Sequence, residues 1–369
     1  MKLNINFDQF LDSYWQQKPI HYADAVTPFH SLLSPDELAG LAVEEEVNAQ
    51  LIYFINDKAK IKTSPIDFNT IPENAPFQLA VHAVNHWLPA TTEFVALFNA
   101  LPNWLLSDLS VCYCMKAHHM AAHADRHERL IVQQQGCTVW QIGPPQDLAT
   151  CGHSTFTPEQ EFILNPGDML YIPAFYAASS QTLENSMSYS MNYRTPFVSE
   201  LIASLSDHLL HDAEKEPLFK HHTNKPRHAH NAISAQDFSD IEEMLTDLLH
   251  QQELLKTWLG EHLSTPLHQL DLVSAEQPWH LTEIRDLLLE GKQLHKINGL
   301  KALYHTDQPE NLYINGEQFS LPTEWDSLGA AICDSPHIDK EILGLAVDDP
   351  GVLAFLTEVV NIGYWYSEE

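Results

Sequence analysis

EFILNPGDMLYIPAFYAASSQTLENSMSYSMNYR, residues 161–194, decides the fold. Asn165-Pro166-Gly167-Asp168 is a turn signal between two apolar runs, because Pro presets one turn dihedral and Gly accepts a positive one. EFIL enters the turn, MLYIP leaves it, and SMSYSMNYR is a further short β segment. Upstream, LSVCYCM (109–115), RLIVQQ (129–134) and CTVWQIG (137–143) have the same character, and Gly143-Pro144-Pro145 is another separator. Many short strands with regular turns across residues 104–196 argue a barrel or a sandwich.

Outward from that block the periodicity changes. Phe7, Phe10, Leu11, Tyr14 and Trp15 recur at helical spacing and predict an amphipathic helix over 4–17, ended by Lys18-Pro19. Ser34-Pro35-Asp36-Glu37 is a helix start, with a capping hydroxyl, Pro at the first helical position and acids in the first turn. Residues 49–69 read as short strands with turns. After Pro196 the pattern turns helical, over 198–213 and 236–263, with a polar His-rich tract between them that includes HHTNKPRHAH at 221–230. That tract reads as a solvated linker, with adventitious metal binding as its alternative. Residues 280–369 combine a helix at 281–290, a hairpin turning at Asn315-Gly316, and helices at 323–333, 338–346 and 350–361. Helices with a hairpin describe a winged-helix-like module. The class is therefore mixed α/β, of the α+β kind. We expect units at 1–197, 198–268 and 269–369.

Composition bounds the function. A chain of 369 residues with 44% hydrophobic and 19% charged content is globular. Its formal charge is −31, with only 19 Lys and Arg. Direct nucleic-acid binding needs clustered cations, so this balance argues against it and fits a basic protein partner. No apolar run reaches the length of a membrane span, and the start lacks the pattern of a secretory signal. Five cysteines without a CxxC pair fit a reducing cytoplasm. GxGxxG, Walker A, GxSxG and HExxH are all missing, which leaves dinucleotide, phosphate-loop, hydrolase and zincin readings without support.

His123-Ala124-Asp125 is the motif that carries chemistry. On a strand, residues i and i+2 share a face, so an imidazole and a carboxylate would enter a barrel together. They make up two-thirds of the two-histidine, one-carboxylate site of non-haem iron oxygenases. Alone, H-x-D is a weak signal. His127 would continue the same face, about 13 Å from His123 at roughly 3.3 Å per residue, too far to share one metal. Glu128 carries no expected metal role.

The surrounding motifs add a resemblance. FDQFLDSYWQQKP (7–19), LSPDELAGLA (33–42), VNHW (84–87), the H-x-D, NPGDMLYIP (165–173), LENSMSYSMNYRTP (183–196) and GYW (363–365) together resemble the bacterial JmjC-type ribosomal oxygenases. The resemblance implies a double-stranded β-helix (cupin/JmjC) barrel, a helical dimerisation segment and a winged-helix-like C-terminal domain. It implies Fe(II) and 2-oxoglutarate as cofactors, an arginine of a large-subunit ribosomal protein as target, and a homodimer. His123 and Asp125 fall on two of the family's metal ligands. The third, a histidine shortly after the YIP segment, falls on Ala178, and residues 174–180 hold no imidazole or carboxylate. The family arginine that anchors the cosubstrate carboxylate falls on Thr138, just before Trp140. The glycine-rich turn before the H-x-D is Ala117-His118-His119. His118 or His119 could fold back as a substitute ligand; ordinary packing histidines are the alternative. Two functions follow: an impaired pseudo-oxygenase that binds a basic protein, or an active Fe(II)/2-oxoglutarate protein hydroxylase.

Overall fold

The computed structural model describes residues 1–28, 30–56, 58–72, 75–146, 156–211, 218–219 and 231–367, so the His-rich tract 221–230 and Cys151 lie outside the described residues. In chain order the strands of the first two hundred residues are β1 (Lys2–Leu3), β2 (Ile20–Tyr22), β3 (Val26–Thr27), β4 (Ala49–Ile55), β5 (Lys58–Thr63), β6 (Phe77–Val81), β7 (Leu106–Cys114), β8 (His119–Ala124), β9 (Glu128–Gln135), β10 (Thr138–Pro145), β11 (Gln160–Leu164), β12 (Met169–Ile172), β13 (Tyr176–Thr182) and β14 (Ser186–Tyr193). Two antiparallel sheets carry most of them. The larger has the order β2-β12-β9-β14-β7-β6-β4-β5, and the smaller β11-β10-β13-β8. Two such facing antiparallel sheets are the double-stranded β-helix that the resemblance implies.

Period-2 alternation assigns each strand residue a side. In β9, Leu130 and Val132 join a core with Phe10, Leu38, Tyr171 and Tyr189, on the side covered by the N-terminal helices. Ile131 points the other way, into a smaller apolar cluster between the sheets with Trp140, Ile142, Leu170, Ile172 and Ala178. The interior of the barrel is therefore lined by Ile131's face of β9 and Trp140's face of β10. The turn that takes the chain from β9 in the larger sheet to β10 in the smaller one is at Gly136, φ 68°, where a Cβ would lie 2.3 Å from the Asn185 carbonyl oxygen. Only glycine fits there.

Helix α1 is Phe7–Ser13, shorter than the expected 4–17. Trp15 leaves the helical path to stack on Tyr171, at 5.6 Å, and the Gln16 N–H donates to the Tyr171 hydroxyl. A tertiary aromatic contact outweighs helical propensity here. Helix α2 (Pro35–Leu41) has the full capping box between Ser34 and Glu37. Two short helices follow, α3 (Val84–Trp87) and α4 (Thr91–Ala96).

Beyond the barrel, α5 is Val198–His211. The single helix expected over 236–263 is two, α6 (Ala235–Leu249) and α7 (Gln252–Ser264), broken at His250-Gln251. The break lets α7 turn a different face inward. Trp258 donates to Ser204 on α5, and Gly260 lies so close to Tyr313 that a Cβ would meet the ring at 2.4 Å.

The C-terminal residues build their own core around Ile284, Leu312, Ile332, Leu356 and Trp365. Here α8 is Leu281–Leu289, β15 is Leu294–Lys296, and β16 (Ala302–His305), β17 (Gln308–Ile314) and β18 (Glu317–Ser320) form the wing, turning at Asn315-Gly316 with positive φ at both residues. α9 (Ser327–Asp334), β19 (His337–Ile338), α10 (Lys340–Leu343), α11 (Pro350–Ile362) and β20 (Trp365–Ser367) complete it. The helix expected over 338–346 shrinks to α10 because buried Ile338 pairs in a sheet with Leu294, and Asp339 then caps the turn that follows. No described helix is long and apolar enough to cross a membrane.

Candidate functional site

Strand β8 carries His123 on its last turn of pairing, where His123 stands opposite Ala178 of β13. The His123 Nδ1–H donates to the Ala121 carbonyl at 3.2 Å, which leaves Nε2 with its lone pair. Burial lowers the His123 pKa, and the charge of Arg129 lowers it further, against opposing help from Ala121 and Asp125. The ring is held neutral, the form that donates to a metal.

Asp125 lies one residue beyond the end of β8, so the extended H-x-D strand expected from sequence stops at Ala124. The chain bends over 125–127, and this corrects the reading of His127. Instead of continuing outward, His127 turns back: its Nδ1 lies 2.8 Å from Asp125 Oδ1, and its backbone N–H donates to the same oxygen. Burial alone would raise the Asp125 pKa, but His127 and the Arg129 charge together hold it well below the usual range. One oxygen of this carboxylate is therefore already engaged.

The residue expected at the third position is aliphatic. Ala178 is 0% exposed and packs among Ile131, Trp140, Ile142 and Ile172. His118 does not fold back; it is buried, its ring centre lies 6.0 Å from that of Phe54, and it stands near the Cys114 thiol, whose pKa is lowered first by Cys112 and then by His118. The His119 Nδ1 lies 3.2 Å from the Ser180 carbonyl oxygen. Glu128 sits on the opposite face of β9 and accepts the Tyr171 hydroxyl. Among the described residues, no group of three His, Cys, Asp or Glu side chains is placed to hold a metal ion. The donor set does not fit one.

Thr138 is buried, and its hydroxyl donates to Ser186 Oγ at 3.2 Å. A neutral hydroxyl bonded to serine offers no charge-assisted pairing for a dicarboxylate. A cation reaches the interior from elsewhere. Arg129 shares Ile131's face of β9, is 9% exposed, and places its guanidinium carbon 5.8 Å from the centre of the Trp140 ring. Its Nε and Nη2 have no hydrogen-bond partner, and no described carboxylate lies within ion-pair distance of it. Burial lowers its pKa, while Asp125 supports its charge. Sequence reasoning missed Arg129. The available signal was an Arg two positions before Ile131 in a strand whose alternation points both inward.

Comparison with known proteins now places this geometry. A JmjC domain model matches residues 93–201, and a ROXA-like winged helix model matches residues 226–366. The chain is 32% identical to the ribosomal protein uL16 3-hydroxylase of Escherichia coli, over 100% of this chain and 99% of that protein. The chain belongs to the JmjC-type ribosomal oxygenases. It is also 26% identical to a probable ribosomal oxygenase of Haemophilus influenzae, over 84% of this chain and 80% of that one. Among solved structures, the Escherichia coli ribosomal oxygenase YcfD in complex with cobalt and 2-oxoglutarate is 31% identical with a TM-score of 0.93, and the same protein with cobalt and succinic acid has a TM-score of 0.92; each covers 100% of this chain and 99% of that one. The ribosomal oxygenase backbone is thus retained around an interior whose wall opposite His123 is a methyl group.

A variant cycle separates the missing donor from the resident cation. Ala178→His should give weak cobalt binding, and adding Arg129→Val should tighten it by about tenfold for each ~1.4 kcal/mol of charge repulsion removed. Isothermal titration of the single and double variants checks this. Equal affinities would show that the guanidinium does not oppose the metal.

Proposed function

We propose that this ribosomal oxygenase homologue is a catalytically impaired pseudo-oxygenase that binds a basic protein segment without hydroxylating it. The observation that carries the reading is the His123–Ala178 register pair, which leaves His123 and Asp125 as two donors of what would be a three-donor site. Arg129 supports it, since a guanidinium beside these groups supplies a positive charge where a divalent ion would otherwise be attracted. Thr138 supports it for the cosubstrate. Fe(II) and 2-oxoglutarate are the family's cofactors, and neither finds its usual partners here.

The partner is a basic protein, and the name of the Escherichia coli relative points to the ribosomal protein uL16 as the first to test. A chain of formal charge −31 attracts a cationic segment over distance and repels nucleic acid. We place this work in the cytoplasm, where ribosomal proteins are made.

The rival reading is an active arginine hydroxylase. It rests on His123, whose Nδ1–H points at a carbonyl as it does in many metal-ligating histidines. One experiment decides between them. Incubated with Fe(II), 2-oxoglutarate and uL16, the protein should bind uL16 in a salt-sensitive manner and release no succinate above the protein-free blank. Succinate together with an added oxygen on uL16 would establish the rival, and failure to bind uL16 or any basic segment would remove the partner.

We further propose a homodimer through the helical segment. Phe238, Ile241, Leu245 and Leu249 form an exposed apolar stripe along α6, and Val198, Ile202 and Leu210 are exposed on α5. Such a stripe on one helix face is a packing surface awaiting a partner. Light scattering should give twice the monomer mass for the parent protein. Ile241→Glu with Leu245→Glu should give the monomer with the barrel intact; a monomeric parent would contradict the proposal.

A further inference from the structure

Between the barrel and the C-terminal module lies a cavity of about 320 Å³, at the lower end of the size range of small-molecule sites. Four segments distant in sequence meet there: the start of β7, the residues leading into α5, the end of α7 and the residue before β16. Trp104 and Leu267 give it apolar walls, and Lys301, Arg194, His262 and Glu200 give it polar ones.

Its charge is opposite to that of the chain. The Arg194 and Arg126 Nη2 atoms both donate to the same Glu200 oxygen, at 2.6 and 2.5 Å. Glu200 Oε2 accepts the Phe197 N–H, so the carboxylate is fully engaged. Two guanidinium groups therefore share one negative charge. Lys301 adds a third cation, and its ammonium makes no hydrogen bond or ion pair with any described residue. Burial lowers its pKa to about 8, and no nearby carboxylate offsets this. His262 is held neutral, first by burial and then by Arg194 and Lys301, with Glu200 opposing. His86, the other imidazole within electrostatic reach of Lys301, is lowered to about 4, chiefly by burial. Near neutral pH the cavity lining thus carries two cations, Arg194 and Lys301, against Glu200, whose charge Arg126 behind the lining also shares, in a chain with only 19 Lys and Arg against 50 Asp and Glu. A half-buried ammonium without a counter-ion is destabilised unless something supplies one.

We propose that this cavity binds a small anion, a carboxylate or phosphate group on an apolar body, with Lys301 and Arg194 as its counter-ions. The anion completes the pairing that Glu200 leaves unfinished, while Trp104 and Leu267 cover the apolar part. The site is separate from the barrel interior and does not depend on whether the barrel turns over.

Calorimetric titration of the full chain with benzoate, phenyl phosphate and inorganic phosphate tests it. At pH 7 at least one of the two aromatic anions should bind saturably and more tightly than inorganic phosphate, and preference between them identifies the head group. Lys301→Met should weaken that binding by about tenfold or more, Lys301→Arg should retain most of it, and His123→Ala should leave it unchanged. Affinity should fall as pH rises past about 8, where Lys301 loses its proton while the arginines keep theirs. The proposal is overturned if no probe binds up to about 10 mM, if Lys301→Met binds as the parent does, or if Lys301→Arg binds as weakly as Lys301→Met. A melting curve on each variant confirms folding, and the arginine variant keeps the test valid should the methionine variant unfold.

Discussion

Antiparallel pairing of β8 with β13 fixes which side chains stand side by side on the inner face of the smaller sheet, and its register sets His123 beside Ala178. The register is held on both sides. β13 also pairs with β10 from Thr138–Thr182 to Ile142–Ala178, and a one-residue slip would turn Trp140, Ile142 and Ala178 away from their cluster. The apolar packing that makes the barrel stable therefore also enforces the absence of a donor opposite His123. Repair cannot come from small backbone adjustment: the nearby imidazoles His119 and His127 are each engaged elsewhere, and His118 is buried against Phe54.

A carboxylate partly removed from water is stabilised by positive charge around it. Where a metal would serve in an oxygenase, Asp125 here has His127 in direct contact and Arg129 behind it. Arg129 in turn rests against Trp140, which lies two residues beyond Thr138 and on the same face of β10. Thr138 on β10 brings no charge to the interior, and Arg129 on β9 supplies a cation there. The consequence is an interior that balances its charge from its own side chains.

Much of the fold was legible because its determinants are local. The Asn165–Asp168 turn, the Ser34 capping box and the Asn315-Gly316 hairpin each specify backbone geometry within four residues. The errors came where distant contacts decide. Trp15 follows Tyr171 out of its helix, Ile338 joins a strand instead of a helix, and the contacts of Trp258 and Gly260 divide the long helical stretch. For the site, the family resemblance pointed to Ala178, and strand register sets that residue beside His123. The bend after Ala124, which brings His127 onto Asp125, was not, since H-x-D alone does not say where its strand ends. Lys301 was invisible for a different reason: its cavity assembles from segments up to two hundred residues apart, and no spacing rule connects them.

The central claim is that the barrel interior offers a metal two donors and no third. Anomalous diffraction from crystals of the parent protein soaked in cobalt and 2-oxoglutarate tests it most directly. The account predicts no ordered cobalt between His123, Asp125 and Ala178. A fully occupied cobalt peak bound by His123, Asp125 and a further protein side chain would contradict it.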